Sequence, residues 1–246
     1  MQRALFFLVC LACGSSEPAP RHVEIEVAQP LPSVSATPSA TPTTTVSMQV
    51  EPRDVDDVRD LRRVQPRSPA LLHAETQALE KLLAATAANA PDRPALLRRI
   101  AEGYADLRKQ GEGGASAKAI QSYTELVKTY PTYAQVDEAF YYLGLEQELA
   151  GDLMNARKSY YELIKRSPSS KYVPYAYFAF GEMFFHEAKG DPSKWDLAKQ
   201  AYTEVMKFPS PIASDAACRM GLVFDAQGDP KRATLMRSKS EKPCGG

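Results

Sequence analysis

The sequence predicts an all-α fold, a solenoid of antiparallel helix hairpins that follows a leader and a tether. Three observations carry this. From Ser68 onward, breaker clusters recur at regular intervals and separate stretches of roughly 12–17 residues with 3.6-residue apolar periodicity. No stretch shows the strict alternation of a strand. Glycine, alanine, tyrosine and proline return in a fixed order at spacings of 37–42 residues.

The 246 residues suffice for one large domain or two small ones. The first element is the leader MQRALFFLVCLACGSS, in which Arg3 precedes a nine-residue apolar run, Ala4 to Ala12. That run is too short to span a bilayer and reads as a secretory signal. Residues 13–68 read as a tether. Thirteen of the eighteen residues from Pro30 to Ser47 are Pro, Ser or Thr, too polar to offset the entropy of ordering. Glu51–Arg67 holds five arginines and five acidic residues among sparse valines, and nothing there commits the Val55–Val64 stretch to a helix. The 55 residues after Cys13 would reach on the order of 40 Å.

The helical domain is expected over residues 69–242. Ser68-Pro69 supplies a capping hydroxyl and a proline for the first helical position. Leu72, Leu79, Leu83 and Ala87 then share one face. APDRP, GEGG, YPTY, AGD, SPSSKYVP, KGDPSK, FPSP and QGDP divide the remainder, giving about nine helices with short connections.

Within that domain Gly144, Gly181 and Gly221 are separated by 37 and 40 residues. Ala156-x3-Tyr160 recurs as Ala119-x3-Tyr123 and Ala198-x3-Tyr202, with Pro131, Pro168 and Pro209 twelve, twelve and eleven residues after the alanines. Residues 140–168 read Phe140-x2-Leu143-Gly144, Ala156-x3-Tyr160, Pro168, with Gln147 three residues after the glycine. The next unit reads Tyr177-x2-Phe180-Gly181-x2-Phe184, then a five-residue excess at KGDPSK. A degenerate unit closes with Met220-Gly221-x2-Phe224, Gly228 and Ala233, and the first carries Gly103 and Tyr104 before GEGG.

This pattern resembles the tetratricopeptide repeat, W-x2-L-G-x2-Y, A-x3-F, P, over about residues 95–235. Gln147 stands in the tyrosine slot. The resemblance implies hairpins that stack because one pair cannot cover its own apolar face. Gly144 and Gly181 would let backbones approach, Ala156 and Ala198 would be their small partners, and Tyr160 and Tyr202 would fill the gap to the next hairpin. The alternative is a non-repeating helical bundle. The 37–42-residue spacing and the P-x-S/T exit at Pro168 resemble those of the Tol–Pal-associated and outer-membrane-assembly tetratricopeptide families, and LEKLLAATAANAPDRPALLRRIAEGYADL also looks like tetratricopeptide proteins of deltaproteobacterial envelopes. The coiled-coil segment of the first family is lacking, and about four repeats are visible against the usual five of the second.

The leader is similar to a bacterial lipobox, which would acylate Cys13; Cys10 stands where leucine is usual, and an ordinary cleaved signal is the alternative. By that resemblance, Gly14 in place of an aspartate retention signal implies the outer membrane, facing the periplasm. Export leaves Cys218 and Cys244, either bridged or as one buried and one free thiol. A bridge would close a loop of about 26 residues and contribute about 3–4 kcal/mol on the chain-entropy account.

Chemistry is sparse. His22, His73 and His186 are scattered without metal-ligand spacing, so neither a metal nor a cofactor is expected. GEGGAS lacks the Gly-Lys-Ser/Thr of a phosphate loop, and no nucleophile motif appears, so no catalytic residue and no small-molecule substrate are expected. Thirty basic and thirty acidic residues give no surplus for nucleic acid. In tetratricopeptide arrays the inner wall is built from the first helix of each hairpin. Carried over by position, that wall comprises Glu138, Tyr141, Leu145, Glu148 and Leu149, then Tyr175, Phe178, Glu182, Phe185 and His186. The last unit supplies Asp215, Cys218, Leu222, Asp225 and Ala226. An aromatic, acidic wall suits a protein segment with apolar anchors and positive charge. The resemblance therefore implies a lipid-anchored periplasmic adaptor or scaffold for an envelope protein; the alternative is a self-associating spacer of an envelope assembly.

Overall fold

The computed structural model describes residues 67–244. The signal-peptide and Cys13 assignments, and the tether apart from its last two residues, lie outside the described residues. Among those described there are nine α-helices and no strand: α1 Pro69–Ala85, α2 Arg93–Lys109, α3 Ala115–Thr129, α4 Val136–Leu149, α5 Leu153–Arg166, α6 Val173–Glu187, α7 Lys194–Val205, α8 Ile212–Ala226 and α9 Pro230–Arg237. None is long and apolar enough to cross a membrane.

Local chemistry sets the helix ends. The Ser68 hydroxyl accepts from the Leu71 amide, and Pro69 occupies the first turn of α1. That helix stops at Ala85, so Ala87 falls outside the expected face. The Arg93 guanidinium donates to the Leu83 and Thr86 carbonyls at 2.8 and 2.9 Å and thereby satisfies the end of α1. Two turns repeat one device: Gly151 and Gly228 take φ of 79° and 74°, and the following aspartates cap α5 and α9. Asp152 accepts from the Asn155 amide at 3.2 Å and Asp229 from the Arg232 amide at 2.9 Å. Pro168 follows the Ser167 cap of α5, where no helical amide is needed.

The helices pair as α2–α3, α4–α5, α6–α7 and α8–α9, with α1 packed on α2. Each hairpin also packs on the next, through α3 with α4, α5 with α6 and α7 with α8. The buried spine between hairpins includes Tyr123, Tyr160, Tyr177 and Tyr202 together with Leu97, Ile100, Leu126, Leu163 and Ile164. Burial of such side chains contributes roughly 1.5–3 kcal/mol each, which makes stacking the dominant stabilising interaction.

Hallmark positions sit where close approach matters. A Cβ on Gly144 would lie 2.6–2.9 Å from three ring carbons of Tyr160, and one on Gly181 would collide with the Tyr202 ring. Ala156 and Ala198 are fully buried. In the last hairpin Arg237 takes the place of the tyrosine over Gly221, sixteen residues on, and its guanidinium pairs with Asp225. The first hairpin takes its register from the buried pattern. Leu97, Ile100, Ala101 and Tyr104 are buried with the spacing of Phe140, Leu143, Gly144 and Gln147, so Ala101 fills the glycine slot. Gly103 instead faces Thr76 of α1.

Candidate functional site

The first helices of successive hairpins, α2, α4, α6 and α8, share one face, and side chains bridge it from end to end. Arg98 of α2 reaches Glu138 of α4 at 3.3 Å and also pairs with Glu102. Tyr141 of α4 lies 5.2 Å ring to ring from Tyr172 and 6.1 Å from Tyr175 of α6. Arg219 of α8 meets Glu182 of α6 at 2.9 Å and lies over the Phe185 ring. The groove residues read from the sequence are therefore neighbours. Glu138, Tyr141, Leu145 and Glu148 on α4, and Tyr175, Phe178, Glu182 and Phe185 on α6, are all half-buried. The other sides of these two helices carry the buried Phe140, Leu143, Ala176, Tyr177 and Phe180, with Phe140 and Leu143 turned toward α3 and α5.

The remaining positions differ in placement. Leu149, His186, Asp215, Asp225 and Ala226 are exposed, and Leu222 is half-buried. Phe178 packs against Tyr202 at 5.8 Å, whereas Phe185 turns edge-on to Trp195 of α7 at 5.3 Å, which draws it to the margin of the face. Cys218 is half-buried and disulfide-bonded to Cys244, with 5.4 Å between the Cα atoms. The tail thus returns to α8, and the Glu241 amide donates to the Ser214 hydroxyl at 3.2 Å.

Hydroxyl–carboxylate pairs organise the acidic groups. Tyr160 donates to Glu148 at 2.9 Å and Tyr202 to Glu182 at 2.7 Å. Burial, reinforced by the facing carboxylates, pushes both phenols well above the usual tyrosine range, so they remain donors. Burial also raises Glu148, the Tyr160 hydroxyl opposes this, and the Glu182 charge adds to the rise. Burial and the neighbouring Glu138 charge raise Tyr172. The face therefore offers oriented carboxylates beside aromatic rings, an arrangement that receives cations and apolar side chains. Among the described residues no group of three or more His, Cys, Asp and Glu is placed to hold a metal.

Sequence reasoning missed Glu146, Arg219 and Arg98, and the bonding role of Gln147. Glu146 is only 1% exposed and holds Arg108 of the preceding hairpin through contacts of 2.8 and 3.2 Å. Arg219 and Arg98 bring cations to a face read as acidic alone. Gln147 replaces the slot tyrosine because its amide oxygen accepts from the buried Ser159 hydroxyl at 2.7 Å. The i, i+12 pairing of two polar residues in an otherwise apolar frame was the available signal.

Residues 138–170 match the tetratricopeptide repeat family. A comparison with curated protein sequences gives no match. A crystal structure of MamA aligns over 76% of this chain and 92% of its own, at 20% identity and TM-score 0.54. A second MamA crystal structure aligns over 74% and 86%, at 21% identity and TM-score 0.54. The MamA RS-1 ArsTM double mutant aligns over 75% and 88%, at 17% identity and TM-score 0.53. The described domain is thus an all-α solenoid of the tetratricopeptide type, with one recognisable tetratricopeptide repeat at its centre.

Proposed function

We propose that the chain is a lipid-anchored adaptor of a bacterial envelope, held on the outer membrane and facing the periplasm. It binds a protein partner on the shared face of α4 and α6 and performs no catalysis. The observation that carries the binding role is the row Tyr141, Tyr175, Phe178 and Phe185, left half-exposed among Glu138, Glu148 and Glu182. A contiguous aromatic surface edged by charge is a feature of interaction sites. Such a surface selects an extended or helical segment with apolar anchors and a cation set toward Glu148, since Arg98 and Arg219 already pair with Glu138 and Glu182, and neither nucleic acid nor a small-molecule substrate. The export assignment draws support from the Arg3, Ala4–Ala12, Cys13 leader and from the Cys218–Cys244 bridge, since bridged cysteines belong to oxidising compartments.

Replacing Phe178 and Phe185 together by alanine tests the binding role. Pull-down from crosslinked cells is expected to lose the partner while circular dichroism retains the helices. Undiminished capture by the double variant overturns the assignment. Cys13→Ala separately tests the anchor: palmitate labelling and membrane fractionation should both be lost, and retention of both contradicts acylation at that cysteine.

A further inference from the structure

The two ends of the hairpin stack are finished differently. At the C-terminal end, α9 exposes Lys231, Arg232 and Thr234 around one apolar residue, Leu235, and the disulfide ties the tail back onto α8. At the N-terminal end, α1 buries Leu72 and Thr76 and packs Leu79 and Leu83 on the core of α2 and α3. Its opposite side carries Leu71, Ala74, Ala78, Leu82 and Ala85, all exposed. Leu71 and Leu82 are 48% and 50% exposed. At 100° per residue, steps of three and four hold these five on a stripe about 80° wide. The stripe carries no charge; Glu75 and Lys81 flank it. A repeat stack needs a polar outer face at each end, and this end lacks one.

We propose that the outer stripe of α1 is a self-association face, on which α1 of a second copy packs antiparallel about a twofold axis. The order Leu71, Ala74, Ala78, Leu82 reads nearly the same in both directions about position 76–77. A twofold axis there sets Leu71 against Leu82 of the second copy and brings the alanines together, so that the helix axes can approach to about 8 Å. Other occupants fit less well. Head-to-tail stacking would seat the five-residue apolar stripe on a face of α9 with one apolar residue, Leu235, set between Lys231 and Arg232. The upstream Val55, Val58, Leu61 and Val64 follow at a constant step of three. In a helix this rotates each by about 60°, so only two could touch α1 at once. Arg59, Arg62 and Arg63 interrupt them.

A 17-residue helix is about 25 Å long, so the pair buries less than the roughly 800 Å² per partner of a standard interface. The dimer is accordingly weak in dilute solution and strengthened where copies are held on one surface. The stripe is distinct from the α4–α6 face, so the two assignments stand or fall separately.

Disulfide trapping of the full-length chain in cells tests this, because Cys218 and Cys244 are already paired and, on the proposed export route, Cys10 leaves with the leader and Cys13 is acylated. Ala78→Cys should give a linked dimer on a non-reducing gel, since the twofold axis sets the two positions within about one helical turn. Lys231→Cys, at the far end, should not. Adding Leu82→Glu to the Ala78→Cys chain should abolish the dimer. Co-expressed Leu71→Cys and Leu82→Cys chains should link to each other, and Leu71→Cys alone should not link. The proposal is overturned if Ala78→Cys stays monomeric with its helical dichroism intact, or if Leu71→Cys alone forms the dimer. An intrachain link between Leu61→Cys and Ala78→Cys would likewise overturn it, by assigning the stripe to the chain's own upstream segment.

Discussion

Gly144→Ala isolates the close approach on which the stacked hairpins depend. The added Cβ would lie 2.6, 2.8 and 2.9 Å from Cε1, Cδ1 and Cζ of Tyr160, so the ring must move by several tenths of an ångström. That ring has little freedom. It is 1% exposed, its hydroxyl is held by Glu148 at 2.9 Å, and Tyr141 and Phe180 lie 6.0 and 6.2 Å away. Overpacking of this kind costs typically 1–3 kcal/mol, and the pinned ring places it in the upper half. Replacing a helical glycine by alanine returns about 1 kcal/mol. The net expectation is a loss of about 1–2 kcal/mol, a fall in Tm of roughly 3–6 °C for a domain of this size. Urea denaturation followed at 222 nm measures it, with Gly190→Ala as a control whose Cβ meets only the Glu187 carbonyl at 3.8 Å. Tyr160→Leu in the same chain should remove most of the additional cost of Gly144→Ala. A Gly144→Ala protein that is stabilised by about 1 kcal/mol, as at an open helical site, would refute the packing argument.

Three further outcomes follow from the same contacts. Glu146→Ala strands Arg108, whose side chain is a quarter exposed and partly reached by water, so the loss should be about 2–3 kcal/mol by denaturation; a change below about 0.5 kcal/mol would contradict a structural ion pair. Reduction of Cys218–Cys244 should release the tail and speed amide exchange in α8 and α9 while α4 and α5 keep their protection, and uniform protection throughout would contradict the tie. Glu148 is raised in the folded chain, chiefly by burial, so the native state binds its proton more tightly than the unfolded chain. Its contribution therefore destabilises at neutral pH and is relieved as pH falls through the window just above the ordinary carboxylate range. Glu148→Gln should raise the urea midpoint at pH 7 and flatten that part of the profile; an unchanged profile would contradict the burial.

Legibility in the sequence followed how local each constraint was. Gly144, Gly181, Ala156 and Ala198 were readable because a close helix crossing admits only small residues, and that demand repeats with the hairpin. The Gly-Asp turns at 151–152 and 228–229 were readable because left-handed backbone followed by a cap is a two-residue signal. In the first hairpin Gly103 and Tyr104 do lie on the first helix, but the buried pattern runs through Ala101, and an alanine in the glycine slot is inconspicuous among many helical alanines. Arg108–Glu146 and Arg219–Glu182 join residues 38 and 37 positions apart, on helices whose relative rotation no local pattern specifies. The outward stripe of α1 was masked by its inward leucines, since a helix apolar on both sides shows weak periodicity. On the binding face, α4 and α6 are apolar around most of their circumference, so the split between buried side and surface required the neighbouring helices.

Site-specific photo-crosslinking in intact cells tests the central claim most directly. A photoreactive residue at Tyr175, on the α4–α6 face, is compared with one at the exposed Lys165 of α5. The account predicts a discrete protein adduct from Tyr175 that is absent from Lys165 and is lost in the Phe178→Ala, Phe185→Ala background. Equal labelling from both positions, or none from Tyr175, would contradict it.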